Sequence, residues 1–399
     1  MTDRIKELCA FQDASHSQYH ARAYLEDILL RQGYAPLAEG DHWDLVPGGK
    51  YYVTRGGSAL MAFRIPQGSP RGFLISAAHT DRPAFKLKEN GELEGTYPRL
   101  AVERYGGQIL APWLDRPLSP NVAIHMNRQA NDGYKWNPVT DVLPLLASPE
   151  NKGKFGKLLE QEAGGKILSH DLFLYIRQKA TVWGLDESFL SSAALDDLEC
   201  VWGCFQGFLN AKDSGSIPLF AALDSEEVGS CSTQGAASTF LKQTIRRVCA
   251  GLGLEEDRLL SQSFLVSADN AHALHPNHPE LADPGNAPLM GGGIVIKFNS
   301  NLRYCTDGYS AALFRTVCNK AGAPTQNYYN RPDIPGGSTL GCISMGQVSI
   351  PTVDIGLPQL AMHSCYETAA VADAQALEDA MTTYFGQTLT RTEAGFGLE

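Results

Sequence analysis

An apolar run from Ile217 to Leu223 leads straight into Asp224-Ser225-Glu226-Glu227-Val228-Gly229-Ser230. Two adjacent carboxylates at the end of a buried strand repel each other and lose their hydration, so they call for a positive charge between them. The chain is acidic and offers no Lys/Arg cluster nearby, which leaves a divalent metal ion as the suitable cation. A Glu-Glu pair elsewhere is usually a solvated helix face. The apolar approach and the Gly-Ser turn that follows set this one apart.

Other segments end in the same way. Gly72-Phe73-Leu74-Ile75-Ser76-Ala77-Ala78 runs into His79-Thr80-Asp81. Residues i and i+2 of an extended segment point to one side, so Asp81 is placed to orient the imidazole of His79. Ser263-Phe264-Leu265-Val266-Ser267 ends in Ala268-Asp269, and Leu360-Ala361-Met362-His363 closes another segment. Asp196-Asp197 precedes an apolar helical pattern, where it could bind metal or simply favour a helix start. His79, Asp196 or Asp197, Glu226 with Glu227, Asp269 and His363 thus form a carboxylate-rich set with two imidazoles. That donor set suits two divalent ions (Zn, Mn or Co) bridged by a carboxylate and a water. One of the adjacent glutamates would be left as base.

Such residues must be brought together by alternating strands and helices. Residues 19–33 carry apolar positions at helical spacing, and residues 51–54 and 59–65 read as a hairpin turned by Gly56-Gly57. Strands at 293–298 and 352–356, and helices near 236–250, 308–321 and 367–385, continue the alternation of an α/β sheet. Between about 89 and 186 glycine, proline and charge become frequent, with short strands expected at 108–110 and 122–126. This predicts a smaller β-rich domain, residues 91–186, inserted into a discontinuous domain of residues 1–90 and 187–399.

The 399 residues carry a net charge of −11, which argues against a nucleic-acid or anionic-membrane partner. No apolar run reaches spanning length, and the N-terminus has no signal-peptide pattern. The nine scattered cysteines suit reduced thiols, so the expected location is the cytoplasm. Cys200 and Cys204, four apart on a helix, read as core. No phosphate-cradling glycine motif opens a helix.

The chain resembles the M18 metallopeptidases, or aspartyl aminopeptidases, of the co-catalytic dizinc aminopeptidase clan. Ala78-His79-Thr80-Asp81-Arg82-Pro83, Leu195-Asp196-Asp197-Leu198, Asp224-Ser225-Glu226-Glu227-Val228-Gly229-Ser230, residues 267–277, residues 295–300 and Leu357-Pro358-Gln359-Leu360-Ala361-Met362-His363-Ser364 carry the likeness. The resemblance implies a three-layer αβα catalytic domain with a mixed central sheet, plus an inserted dimerisation or lid domain. It implies that His79, Glu227, Asp269 and His363 bind two metal ions, zinc foremost, with Asp196 bridging them. Glu226 would be the general base, Asp81 would orient His79, and Lys297 and His272 would receive an acidic substrate side chain.

Two departures stand out. The family usually has Asp-Asn where this chain has Asp196-Asp197, and the segment after Trp113-Leu114-Asp115-Arg116 is short beside the family's dimerisation strands. Family members form dimers that build a twelve-subunit shell, so a homo-oligomer is expected, with His125 a candidate group for a neighbouring subunit's site. The function this implies is metal-dependent removal of N-terminal Asp or Glu from peptides. The alternatives are a dimetal deacylase or amidohydrolase on small N-acyl substrates, or a non-catalytic assembly or cargo-binding protein.

Overall fold

Residues 59–64, 73–79, 217–223 and 264–268 are apolar at nearly every position, as in strands of a sheet covered on both faces. In a computed structural model that describes residues 1–116, 122–334, 336–392 and 395–399, this is the arrangement found. Two helices open the chain, α1 (Asp3–Ala14) and α2 (Gln18–Arg31). Strands β1 (Ala35–Leu37), β2 (Lys50–Arg55), β3 (Ala59–Arg64) and β4 (Phe73–His79) follow, with Gly56 and Gly57 at positive φ turning β2 into β3. An antiparallel ribbon, β5 (Ala84–Leu93) with β6 (Arg99–Tyr105), and a short helix, α3 (Phe155–Ala163), come next. The chain resumes with β7 (Thr181–Trp183), β8 (Phe189–Ser192), α4 (Leu195–Asn210) and β9 (Ile217–Leu223). Helices α5 (Phe240–Gly251) and α6 (Glu256–Leu260) lead to β10 (Phe264–Ala268), β11 (Ala271–His272) and β12 (Ile294–Phe298). Then come α7 (Gly308–Ala321), β13 (Thr325–Tyr329), α8 (Leu340–Gln347), β14 (Thr352–Gly356), β15 (Pro358–Leu360) and β16 (Glu367–Ala370). Helix α9 (Val371–Phe385) and a hairpin of β17 (Leu389–Thr392) and β18 (Gly395–Leu398) end it.

The main sheet runs β1-β2-β3-β9-β4-β10-β14-β12-β13 and is mixed. β9, β4, β10 and β14 are mutually parallel, while β3 and β12 join them antiparallel. The period-two pleat divides the apolar side chains between two cores. Leu74, Phe220, Ala222, Phe264 and Val266 pack with α4, α7 and α9, whereas Phe73, Ile75, Leu219, Ala221 and Leu265 pack with α5 and α8. These are the two outer layers of an αβα sandwich. Tyr384 of α9 reaches through the core and donates its hydroxyl to the carbonyls of Phe264 and Ile75 at 2.8 and 3.1 Å, which removes the cost of burying that polar tip. A second, five-stranded sheet runs β11-β15-β16-β8-β7.

Contacts group the chain into two units, Met1–Asp81 with Lys179–Met362 and Glu367–Glu399, and Arg82–Gln178 with His363–Tyr366. An edge at residue 90 would fall inside β5, whose pairing with β6 continues to Leu93. The second unit has its own small core of Phe85, Leu87, Leu100, Val102, Trp113, Leu114 and Val142.

Several local expectations need correction. Residues 108–110 and 122–126 are not strands; the latter include a turn, and among the described residues no strand pairs with them. Residues 367–370 are not the start of the last helix, because they pair with β8 and β15 before α9 begins at Val371. The helix α1 and the strand β13 were not expected from the sequence pattern. The shortened segment after Arg116 coincides with residues 117–121, which lie outside the described residues, as does Pro335.

Candidate metal centre

Parallel neighbours end on the same edge of a sheet, and functional groups collect there. β9, β4 and β10 are three such neighbours. His79 is the last residue of β4, Asp269 follows β10 directly, and Glu226 and Glu227 lie in the turn just past β9. Gly356, at the end of β14, permits the close approach this requires: a Cβ there would lie 1.9 Å from the Asp269 carbonyl oxygen.

A ring nitrogen of His79 and carboxylate oxygens of Asp196 and Asp269 all lie within 4.8 Å of one another, and all three residues are buried. His79 Nε2 is 3.5 Å from Asp196 Oδ1. The other ring nitrogen, Nδ1, is 3.1 Å from the carbonyl oxygen of Asp81 and 3.4 Å from its Oδ1. Asp81 does more than orient this ring. Its Oδ1 accepts the N–H of Glu226 at 3.0 Å and its Oδ2 accepts that of Glu227 at 3.2 Å. One buried carboxylate therefore sets both the imidazole and the turn that carries the glutamate pair. Asp224 braces that turn from behind, accepting the Ser58 hydroxyl at 2.5 Å and the Ser225 N–H at 2.6 Å.

The two adjacent aspartates have separate surroundings. Both have non-helical dihedrals at the start of α4, and the peptide between them is cis. Asp196 faces His79 Nε2, whereas Asp197 Oδ2 accepts the backbone N–H of His79 at 3.2 Å. Neither caps the helix, which has no side-chain cap at that end.

Burial and mutual repulsion govern the charges. Burial raises the pKa of Glu226 to about 8, with Asp269, Asp196 and Asp81 adding to the shift and His79 opposing it. Glu227 is driven well above its ordinary value by burial and then by Asp196. Burial also raises Asp197 and Asp269. Burial disfavours the imidazolium of His79, but Asp196, Asp81 and Asp197 outweigh it and raise that pKa well above its usual value. The protein thus gathers more negative charge than its own cations neutralise. An imidazole and converging carboxylates form a donor set that fits a divalent ion.

Lys297 on β12 is 2% exposed, but it is not alone. Its ammonium donates to the Asn270 carbonyl at 2.8 Å, lies 3.6 Å from Asp269 Oδ1 and sits 5.4 Å from the Tyr304 ring centroid. Burial opposes its charge and Asp269 restores it, raising its pKa. His272 on β11 is exposed, stands edge-on to Tyr328 at 6.2 Å and lines a cavity of about 430 Å³ with Tyr328, Asn330, Gln359 and Gly336. His363 belongs to the short segment grouped with the second unit, where its Nδ1 is 3.3 Å from the Gly107 carbonyl oxygen. His125 is exposed in a turn. Cys200 and Cys204 are buried in α4, and Cys200 Sγ donates to Asn270 Oδ1 at 3.0 Å.

The sequence pattern did not point to the polar layer behind these groups. Glu367 Oε2 accepts the N–H of Asp196 at 3.0 Å. The Asn270 amide donates to the Leu195 carbonyl at 3.0 Å and to Gln359 Oε1 at 3.2 Å. Only the position of Asn270 beside Asp269 could have drawn attention to it.

Comparison with known proteins agrees with this architecture. The profile of the aminopeptidase I zinc metalloproteases (M18) matches residues 11–119 and 120–385, two blocks that meet inside the short segment after Arg116. A probable M18 family aminopeptidase 2 of Clostridium acetobutylicum is 37% identical over 423 aligned positions, covering 95% of this chain and 98% of that protein. Its counterpart from Pseudomonas aeruginosa is 38% identical over 405 positions, covering 92% and 94%. Among solved structures, the cryo-EM structure of the Ape4 and Nbr1 complex superposes with a TM-score of 0.90 at 30% identity, covering 96% of this chain and 85% of that one. An M18 aminopeptidase from Thermotoga maritima shares the fold, with a TM-score of 0.85 at 21% identity over 95% of each chain. No helix among the described residues is long and apolar enough to cross a membrane. A divalent metal suits the clustered carboxylates, and the match runs nearly end to end: the chain belongs to the M18 family of zinc metallo-aminopeptidases.

Proposed function

We propose that this chain removes N-terminal aspartate or glutamate from peptides with the help of two divalent ions, zinc foremost. The observation that carries the reading is the convergence of His79, Asp196 and Asp269 beside a Glu226-Glu227 turn held by Asp81. In this reading His79, Asp269, Glu227 and Asp196 would hold the ions; Asp196 rather than Asp197 suits the role, since it lies opposite His79 Nε2 while Asp197 accepts a backbone N–H. His363 joins the set by its sequence motif. When bound, the ions supply Lewis acidity to the scissile carbonyl and make water a nucleophile near neutral pH.

The chain's own groups do the rest. Glu226 accepts the proton of the attacking water and delivers it to the leaving amine nitrogen, a role that a carboxylate beside the ligand set can fill. Asp81 keeps that carboxylate and the imidazole in register. Lys297 and His272 receive the acidic side chain of the substrate by charge-assisted hydrogen bonds. Because Lys297 already pairs with Asp269, a substrate carboxylate would share its charge rather than meet a bare cation.

We also propose a cytoplasmic homo-oligomer. Met126 and Val139 of the second unit are 83% and 72% exposed, a surface that another subunit would cover. Light scattering on the purified protein checks this, with a monomer as the contrary result.

The deciding experiment is hydrolysis of Asp-, Glu- and Leu-chromogenic amides by metal-stripped protein, with Zn, Mn or Co titrated back. Metal-dependent cleavage favouring Asp or Glu supports the whole reading. Equal cleavage of the Leu amide removes the acidic preference. Cleavage only of amine-blocked substrates turns the reading into a deacylase.

A further inference from the structure

One buried cluster of reactive side chains takes no part in the chemistry above. Asp354 on β14 is fully buried, and its Oδ2 accepts both the N–H of Cys305 at 2.6 Å and its S–H at 2.9 Å. Its Oδ1 accepts the Thr339 hydroxyl at 2.9 Å. A second thiol, Cys342 in the first turn of α8, completes the group: the two sulfurs and an Asp354 oxygen all lie within 4.8 Å of one another. Cys305 is only 7% exposed, whereas Cys342 is partly open to solvent. The hydrogen bond between the thiols lowers the pKa of Cys342 and raises that of Cys305, which burial and Asp354 raise further.

This is the division of labour that thiol–disulfide exchange needs, an accessible sulfur to attack and a buried one to resolve. A metal site is the poorer account, because both oxygens of Asp354 already receive protein donors. We propose that Cys305 and Cys342 form a thiol–disulfide exchange site for a low-molecular-weight disulfide of the glutathione type. Cys342, as thiolate, attacks one sulfur of that disulfide. The disulfide bond breaks, a mixed disulfide forms on Cys342, and the first small thiol leaves with the proton Cys342 gave up. Cys305 then attacks Cys342 Sγ and yields its proton by way of Asp354 Oδ2 to the second departing thiol. Two protein thiols are oxidised by two electrons, and one small disulfide is reduced to two thiols.

The bridge would tie the segment around Cys305 to α8. Tyr304, next to Cys305, lies under Lys297 and 6.2 Å from Tyr328, while Gly336 and Gly337 precede α8; Tyr328 and these glycines line the cavity beside His272. Oxidation therefore fixes two parts of the same wall. This consequence for turnover rests on the proposed function; the bridge itself does not.

The test treats the full-length, metal-loaded protein with oxidised glutathione, blocks free thiols, digests it and maps cysteines by mass spectrometry, with amide hydrolysis measured in parallel. The expected result is a peptide containing Cys305 joined to one containing Cys342. A severalfold fall in kcat/KM for the Asp amide should accompany it, reversed by dithiothreitol. Cys342→Ser should abolish both effects, and Cys305→Ser should stop at a glutathione adduct on Cys342. A stable adduct on Cys342 of the unmutated protein, no reaction at either thiol, or an extra equivalent of zinc lost with Cys342→Ser would overturn the exchange site. A mapped bridge with unchanged kcat/KM would overturn its coupling to the cavity. If no amino-acyl amide is cleaved at all, the proposed function fails while the mapped bridge still decides this inference.

Discussion

Two buried polar clusters lie on one sheet, His79 with Asp196 and Asp269 past β4 and β10, and Cys305 with Cys342 and Asp354 beside β14. They differ in what faces the carboxylates. Asp354 is surrounded by donors, an N–H, a thiol and a hydroxyl. Around His79 several carboxylates crowd one another, and burial with repulsion drives the pKa values of Asp197, Glu226 and Glu227 up. A carboxylate whose oxygens receive protein donors and which stands apart from other acids is at rest in the fold, whereas a set crowded with like charge calls for a cation from outside. Burial alone does not separate the two; the mutual repulsion of neighbouring carboxylates does.

Substitutions can break this comparison, and the largest effect is expected at the proposed base. Glu226→Gln keeps the shape of the turn and should lower kcat by about 10²- to 10⁴-fold while metal content, measured by elemental analysis, stays unchanged. Near-normal turnover would remove Glu226 from the reaction. Next come the two buried aspartates. Asp269→Asn should lose metal affinity, read by calorimetric titration, with the fold intact. Asp354→Asn should keep metal affinity and instead lose about 1–3 kcal/mol of stability, because it forfeits an acceptor for buried donors. If Asp354→Asn lost metal and Asp269→Asn did not, the distinction between the clusters would be wrong.

Lys297→Met should cost the Asp amide roughly 10- to 100-fold in kcat/KM, the worth of one hydrogen bond to a charged group, and cost the Leu amide less. Equal losses on both would make Lys297 a partner of Asp269 and nothing more. The smallest effect concerns Glu199, whose pKa burial raises to about 8, helped by the charge of Asp373. In the unfolded chain it would ionise near 4.5, so between those values the unfolded state gains a charge that the folded state does not. The native protein therefore loses stability from this group as pH rises from 4.5 to 8. Glu199→Gln removes that slope: its melting temperature should match the parent near pH 4.5 and exceed it by a few degrees, about 2–4 °C, at pH 8. Parallel curves for the two proteins would show that Glu199 is not a buried, protonated acid.

The candidate residues were legible because strand-end chemistry leaves a local trace. An apolar run followed by His79-Thr80-Asp81, by Glu226-Glu227 or by Asp269 is visible without any partner in view, since each strand must bury its own side chains before it can present a polar end. The same logic placed the β2–β3 hairpin and α7. Short elements left weaker traces. β16 was read as the first turn of α9 because four residues cannot distinguish a period of two from one of 3.6, and the pairing with β8 and β15 decided it.

By itself the sequence determined which chemical groups stand at strand ends, that they are too acidic to coexist without a cation, and that strands and helices alternate. It also left Asp196 and Asp197 equivalent and named no group within the chain for Lys297 to meet. Only the tertiary structure decided that Asp196 faces the imidazole while Asp197 holds a backbone N–H, that Asp269 and Asn270 accept Lys297, and that Cys305 meets Cys342 across thirty-seven residues of chain. The reason is physical. A residue's type and its immediate neighbours fix its charge and period, but its partners are set by strand order and register, which bring together side chains far apart along the chain.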